Sequence, residues 1–205
     1  MNSTLNLPTA GTPEDAERRT WMRATVGMGC AGATATLWPF VSSFAPSERA
    51  KALGASVQVN VGDLAPGEMR TVEWRGQPVW LLRRTPEMLA SLSNTADLAD
   101  PNSSTPQQPE YAKNIHRSIK PDLLVTVGIC THLGCSPVTL PEGTANTSVP
   151  ADWKGGFFCP CHGSTFDLAG RVFKNKPAPT NLVVPPHSYL DDTTLLIGED
   201  EKENT

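Results

Sequence analysis

Short runs of β-branched, aliphatic and aromatic residues recur from residue 57 onward, and Gly, Pro, Asn and Asp separate them. Runs of this length with turn residues between them are typical of β-strands. Strands are predicted at 57–61, 69–74, 78–83, 123–129, 156–158, 165–168, 171–173, 182–184 and 193–197. Many short strands with little helix favour an all-β, antiparallel domain, which we place at 57–198.

One short helix is predicted inside this domain, at TPEMLASL. Thr85 is a good N-cap residue, Pro86 suits the first helical position, and Glu87 is favourable near the positive end of the helix. The polar sequence that follows this helix predicts a loop.

An uncharged stretch at 24–47 lies between an arginine-containing N-terminus and the β-rich region. A helix needs about 20 such residues to cross a bilayer. We therefore predict a single N-terminal transmembrane helix at 24–45, with residues 1–23 in the cytoplasm because arginines favour that side. The alternative is a cleaved secretory signal, since RRTWMR resembles a twin-arginine export signal. Both interpretations export the remainder of the chain.

The segment at 46–56 is small, polar and charged, and it predicts a flexible hinge. The acidic tail at 199–205 is interpreted as a solvated terminus. The chain has 17 basic and 21 acidic residues and a net charge of −4, so it lacks the basic surface that nucleic-acid binding requires. No nucleic-acid partner is expected.

Four of the five cysteines and two of the four histidines lie in two short segments, CTHLGC at 130–135 (the first loop) and CPCHGS at 159–164 (the second loop). This clustering is typical of metal ligation. Six candidate ligands exceed the four that a zinc ion takes. One allocation that uses all six is a [2Fe-2S] cluster on four residues and a disulfide between the other two cysteines. A structural zinc site on part of the set is the alternative.

The two loops resemble those of the Rieske iron–sulfur proteins, whose cluster is held by two cysteines and two histidines. The similarity extends to RRTPEMLA, NKPAP and the C-terminal strands. It implies that Cys130 and Cys159 bind one iron and that His132 and His162 bind the other. Cys135 and Cys161 match the additional disulfide of the membrane respiratory branch of this family.

That branch implies the iron–sulfur subunit of a bacterial ubiquinol–cytochrome c reductase. Such a subunit takes an electron and a proton from ubiquinol and passes the electron to a c-type cytochrome. The implied partners are cytochrome b, a c-type cytochrome, ubiquinol and membrane lipid, in a dimeric complex. The implied location is the bacterial inner membrane, crossed once, with the C-terminal domain in the periplasm. A Rieske subunit of another exported enzyme, such as arsenite oxidase, is the nearest alternative.

The resemblance also assigns roles around the cluster, within a cluster-binding part at about 128–180. His162 is expected to be the catalytic residue that contacts the quinol and accepts its proton. Leu133 is expected to shield the cluster, and Ser164 is expected to donate a hydrogen bond to a cluster sulfur. Pro177 and Pro179 are expected to form a rigid loop that covers its other side, and Phe166 is the remaining residue expected near the cluster. Many relatives have a tyrosine at the position of Phe166, and its hydroxyl donates to a ligand cysteine. Phenylalanine has no hydroxyl, so we expect a lower reduction potential in this protein.

Overall fold

The computed structural model describes residues 13–47, 54–144, 148–149 and 152–199. The chain divides into two units between residues 51 and 52, within the segment predicted as a hinge. Residues 48–53 of that hinge lie outside the described residues. The same applies to residues 1–12 of the predicted cytoplasmic segment and to residues 200–205 of the acidic tail.

The N-terminal unit is one helix, α1 (Pro13–Ser42). It begins before the predicted span, because the sequence at 14–23 is rich in Glu and Arg, which favour helix. Among the described residues, no helix combines the length and apolar character that crossing a membrane requires. The predicted transmembrane helix at 24–45 is therefore not supported. The physical reason is composition, since Gly, Ala, Ser and Thr fill much of this stretch and lower its mean hydropathy.

The C-terminal unit is built from short antiparallel strands, as predicted. They are β1 (Val57–Asn60), β2 (Met69–Trp74), β3 (Gln77–Arg83), β4 (Leu123–Val127), β5 (Val138–Leu140), β6 (Gly156–Cys159), β7 (Ser164–Phe166), β8 (His187–Tyr189) and β9 (Thr194–Ile197). They form three-stranded sheets in the orders β1-β9-β8, β2-β3-β4 and β5-β6-β7. The all-β, antiparallel prediction is confirmed.

Two helical turns interrupt the strands. Helix α2 (Pro86–Ser91) lies at the predicted position, and the Thr85 hydroxyl accepts a hydrogen bond from the Met88 amide at 3.3 Å. A 3-10 helix at Glu110–Ala112 lies in the long connection between α2 and β4.

The β2-β3-β4 sheet lies between two hydrophobic cores. Successive side chains on a strand point to opposite faces of its sheet. In β3, Val79 and Leu81 belong to the core shared with β1 and β9, here called the base core. Trp80 and Leu82 belong to the core that contains the two loop cysteines, here called the site core. Both faces of β3 are therefore buried, which explains why its sequence is almost continuously apolar.

Two predicted strands are absent from the assigned elements, and two assigned strands were not predicted. The segment at 182–184 is extended, but its amides and carbonyls bond to three different segments: Leu182 N to Gly170 O at 2.8 Å, Val127 N to Val183 O at 2.7 Å and Val184 N to Gln107 O at 2.8 Å. The segment at 171–173 forms only isolated bridges. Strands β5 and β8 were missed because each is three residues long and carries little apolar periodicity.

Candidate metal centre

The first and second loops have the same backbone geometry. The Gly134 amide donates to Cys130 O at 3.1 Å, and the Gly163 amide donates to Cys159 O at 2.9 Å. Both glycines have positive φ, 83° and 78°. A Cβ atom at either position would meet nothing within 4 Å, so the backbone conformation rather than crowding favours glycine. Each loop thus begins at a cysteine and turns back four residues later.

Cys130 and Cys159 are free thiols, and each is 2% exposed. Cys159 ends β6, and the Cys130 amide is held by a 2.8 Å hydrogen bond to Cys135 O. Burial, together with the neighbouring Cys130 thiol, raises the pKa of the Cys159 thiol. Two buried thiols side by side have no water to stabilise a thiolate, whereas a bound metal ion does so directly.

The two loop histidines also lie together. The ring centroids of His132 and His162 are 4.7 Å apart and the rings are perpendicular. His162 is exposed and His132 is half-buried. Within the described part of the chain, Nδ1 of His132 is buried and has no hydrogen-bond partner. A buried imidazole nitrogen without a partner fits a metal ligand.

Cys135 and Cys161 form a disulfide that joins the two loops, with their Cα atoms 6.6 Å apart. The pairing expected from the family resemblance is therefore present. The sulfurs of Cys135, Cys159 and Cys161 lie within 4.8 Å of one another. They do not make a three-thiolate metal site, because the disulfide uses two of them and only Cys159 remains free to bind a metal.

Comparisons with known proteins agree with this arrangement. The Rieske [2Fe-2S] domain matches residues 55–186. The ubiquinol–cytochrome c reductase iron–sulfur subunit of Allochromatium vinosum is 59% identical over 184 residues, which cover 89% of this chain and 88% of that protein. The chain belongs to the Rieske family of ubiquinol–cytochrome c reductase iron–sulfur subunits. The subunit of the same name from Rhodospirillum rubrum is 41% identical, covering 93% of this chain and 97% of the relative. The subunit of the same name from Bradyrhizobium diazoefficiens is 37% identical, covering 94% of this chain and 100% of the relative.

Membership of the Rieske family implies a [2Fe-2S] cluster of Rieske type. The residues present fit that cluster, since two buried free thiols and two adjacent imidazoles form the donor set that Rieske clusters use. The unpartnered Nδ1 of His132 is the observation that agrees best with a bound metal. A structural zinc site is accordingly not the interpretation we retain.

The proline loop of the Rieske domain, Pro177–Pro179, is fixed against both metal-binding loops. Proline has no amide hydrogen, so the Ala178 amide is the one donor that this loop backbone offers. It donates to the Ser164 hydroxyl at 3.0 Å. On the other side, the Thr131 hydroxyl donates to Thr180 O at 2.7 Å. The proline loop is therefore held by Ser164, the last residue of the second loop, and by Thr131 of the first loop.

The remaining residues expected near the Rieske cluster lie in contrasting environments. Leu133 is 70% exposed beside His132, whereas Ser164 and Phe166 are fully buried on β7. The Ser164 oxygen accepts from the Ala178 amide, which leaves the Ser164 hydroxyl hydrogen available as a donor. Phe166 has no hydroxyl. The roles of these residues toward the cluster remain predictions.

Sequence reasoning missed a buried group of charged residues near the Rieske site. Arg84, Arg117 and Arg171 are each at most 3% exposed, and Asp167 is 8% exposed. Arg171 forms an ion pair with Asp167, with Nη2 and Oδ2 2.6 Å apart. The spacing of four residues in DLAGR could have suggested this pair. No local signal distinguishes Arg84 or Arg117 from a surface arginine, because their burial depends on distant segments.

Proposed function

We propose that this chain takes an electron and a proton from ubiquinol and passes the electron to a c-type cytochrome. The observation that supports this most directly is the arrangement of His132 and His162, perpendicular and 4.7 Å apart, next to two buried thiols. We assign Cys130 and Cys159 as the ligands of one iron, and the two histidines as the ligands of the other.

When bound, a cluster with two imidazole ligands in place of two thiolates supplies one-electron chemistry at a raised reduction potential. The second ring nitrogen of a metal-bound histidine remains available for a hydrogen bond and a proton. His162 is the more exposed of the two histidines, so a quinol hydroxyl can reach it. We therefore assign His162 as the residue that accepts the quinol hydrogen bond and then the proton.

Three neighbouring groups support the proposed function of the metal centre. Leu133, 70% exposed, presents an apolar surface beside His132 that excludes water when a partner docks. Pro177 and Pro179 flank Ala178, whose amide already donates to Ser164, so this side of the site stays rigid. Ser164, with its hydroxyl hydrogen available, is placed to donate to a cluster sulfur.

The proposed partners are cytochrome b, a c-type cytochrome, ubiquinol and membrane lipid, within a dimeric complex. We place the β-rich unit on the periplasmic side of the bacterial inner membrane. The disulfide between Cys135 and Cys161 supports an oxidising compartment, because such bonds persist outside the reducing cytosol. The segment at 46–56 is assigned as the hinge that lets the domain move between its electron donor and acceptor.

The test is to purify the full chain from the membrane with its partners and to record visible and electron paramagnetic resonance spectra after reduction. His162→Gln is compared with His116→Gln, a histidine outside both loops. We expect the Rieske signal and quinol oxidation to be lost only in the His162 variant. A normal signal in that variant would contradict the ligand assignment. Co-purification with a molybdenum subunit instead of cytochromes would contradict quinol oxidation and favour the alternative, a Rieske subunit of arsenite oxidase.

A further inference from the structure

Three buried arginines, Arg84, Arg117 and Arg171, surround the turn that follows β7; we call them the arginine cluster. Arg84 is 3% exposed, and the other two are fully buried. Asp167 neutralises Arg171. Among the residues that the structure describes, no carboxylate forms an ion pair with Arg84 or Arg117. Asp122 attracts Arg84 and Asp100 attracts Arg117 electrostatically, but neither carboxylate forms an ion pair with its arginine.

The two unpaired arginines are held by neutral acceptors. Arg84 donates to His116 O at 2.8 Å, Ser118 Oγ at 2.7 Å and Leu168 O at 3.2 Å. Arg117 donates to Gln108 Oε1 at 2.9 Å, Leu182 O at 2.7 Å, Ala169 O at 3.1 Å and Gly170 O at 3.3 Å. These neutral oxygens accept from the Nη groups but do not cancel the charge, and among the described residues the buried Nε of each of the two arginines has no hydrogen-bond partner.

Both side chains remain cationic at neutral pH. Burial lowers the pKa of Arg84 to about 10 and that of Arg117 to about 10, which still leaves each guanidinium protonated. Burying a charge without a counter-charge costs stability, and an apolar residue of similar volume is often as stable or more so. Here the seven hydrogen bonds of Arg84 and Arg117 offset part of that cost, so these two side chains have a structural role as well as a charge. Their electrostatic field is the property that an apolar replacement would lack.

Contacts through the protein interior connect the arginine cluster to the loop cysteines. Leu182, whose carbonyl accepts from Arg117, lies two residues after Thr180, whose carbonyl accepts from Thr131 beside Cys130. Leu168 and Ala169, whose carbonyls accept from Arg84 and Arg117, belong to the same hydrophobic core as Cys130 and Cys159. Water and salt screen charges poorly across a buried path of this kind. Along this path solvent attenuates the field of Arg84 and Arg117 less than it would attenuate the field of a surface charge.

We propose that Arg84 and Arg117 are tuning residues that raise the reduction potential of the Rieske cluster. Adding an electron makes the metal centre more negative by one charge, and fixed positive charges nearby stabilise that state relative to the oxidised state. This inference rests on the proposed function, because it requires the cluster to be bound by the two loops.

The test is a redox titration of the purified full-length protein, followed by electron paramagnetic resonance. Arg84→Gln and Arg117→Gln are expected to lower the midpoint potential, with a larger shift in the double variant. Each shift should persist at high salt, because the charges are buried. Asp167→Asn keeps an oxygen acceptor but removes the carboxylate charge, so it should raise the midpoint.

Charge-retaining and surface variants separate electrostatics from structure. Arg84→Lys keeps the charge and should keep the midpoint close to that of the unmodified protein. Arg75→Gln removes an exposed cation that water screens, so it should leave the midpoint nearly unchanged. Equal shifts in Arg84→Lys and Arg84→Gln, or a downward shift in Asp167→Asn, would overturn the inference in favour of a structural role.

Two readouts keep this inference separate from the proposed function. The spectrum of the reduced unmodified protein reports the ligand set, and the midpoint reports the field. A Rieske spectrum with unchanged midpoints in both glutamine variants overturns the tuning role alone, whereas a non-Rieske spectrum overturns the proposed ligands. Should Arg84→Gln lose the cluster, the midpoint shifts of Arg117→Gln and Asp167→Asn still test the tuning role. A lower midpoint in the first variant and a higher midpoint in the second support it, and the opposite signs overturn it.

Discussion

The two cores on either side of the β2-β3-β4 sheet are stabilised by different physics. The base core is formed by strand side chains such as Val79, Leu81 and Leu195, whose contribution is burial without directional bonds. The site core contains Cys130 and Cys159, the proposed metal ligands, and lies next to one disulfide, two glycine turns and the hydrogen bonds of the arginine cluster. Apolar burial tolerates small displacements, whereas a metal site does not. The comparison suggests that perturbing the base core lowers stability, while perturbing the site core also changes the spectrum.

The largest effect is expected from two adjacent leucines of β3. Leu81 and Leu82 are 0% and 2% exposed but belong to opposite cores. Replacing either by alanine leaves a cavity and should destabilise the protein by about 2–5 kcal/mol, measured by urea unfolding. We expect the Leu82→Ala variant also to broaden or shift the resonance signal, and the Leu81→Ala variant to keep it. Indistinguishable spectra of the two variants would remove the distinction between the cores.

Removing the disulfide is the next largest change. The Cys135→Ala, Cys161→Ala double variant should unfold with about 3 kcal/mol less stability, because the bond restricts the unfolded chain. It should also lose cluster content, measured as iron and visible absorbance per protein. Cys30→Ala removes an exposed free thiol and is the matched control. Full cluster retention in the double variant would mean that the loops hold their geometry without this bond.

The glycine turns should give a smaller effect. Gly163→Ala places a side chain at φ 78° in open space, so the cost is backbone strain of about 1–2 kcal/mol. Gly134→Ala, at φ 83°, should behave similarly in urea unfolding. Gly128 provides the contrast, because a Cβ atom there would lie 2.2 Å from the Trp80 indole. We expect Gly128→Ala to lower the free energy of unfolding more than Gly134→Ala or Gly163→Ala does. A larger loss in the two turn variants would show that backbone strain alone does not set their cost.

The smallest effect concerns acid and a histidine of β8. His187 is 1% exposed, its Nδ1 lies 2.8 Å from Pro185 O, and burial lowers its pKa below the usual 6.5. The unfolded chain therefore binds a proton more readily than the folded protein, so stability is complete above the ordinary pKa and falls as the pH drops toward the folded value. Burial also lowers the pKa of His116, which adds in the same direction.

This pH dependence can be measured as the urea midpoint from about pH 7.5 to about pH 5.5, a window above the range in which carboxylates titrate. His187→Gln should reduce the slope. A stability that is constant or rises on acidification would show that the burial of His187 is not a source of acid sensitivity.

Several features of this protein are determined locally and could be predicted. The proposed metal ligands lie within two six-residue segments, where the clustering of cysteine and histidine indicates metal binding without a structure. Helix α2 follows from Thr85 and Pro86, whose capping and φ preferences act within one turn. The central strands β3 and β4 are continuous apolar runs because both faces of their sheet are buried, and such runs are visible without a structure.

Two predictions that the structure does not support depended on quantities that the local sequence pattern does not contain. An uncharged stretch suggested a membrane crossing at 24–45, but the absence of charge is not the same as the presence of apolar surface. The segment at 182–184 has strand composition, yet its hydrogen bonds go to three separate partners. Whether an extended segment joins a sheet depends on which neighbours the fold brings beside it.

By itself, the sequence determined the all-β class and the candidate metal-binding loops, because these depend on residue type and short spacing, and the family resemblance supplied the proposed donor set. Only the tertiary structure decided which histidine is exposed, and only it buried two arginines that form no ion pair with any described carboxylate. Burial of Arg84 and Arg117 results from contacts that span 32 and 65 residues of chain, to His116 and Leu182. Exposure and electrostatic field are properties of the packed molecule, since they depend on everything that displaces water around a group.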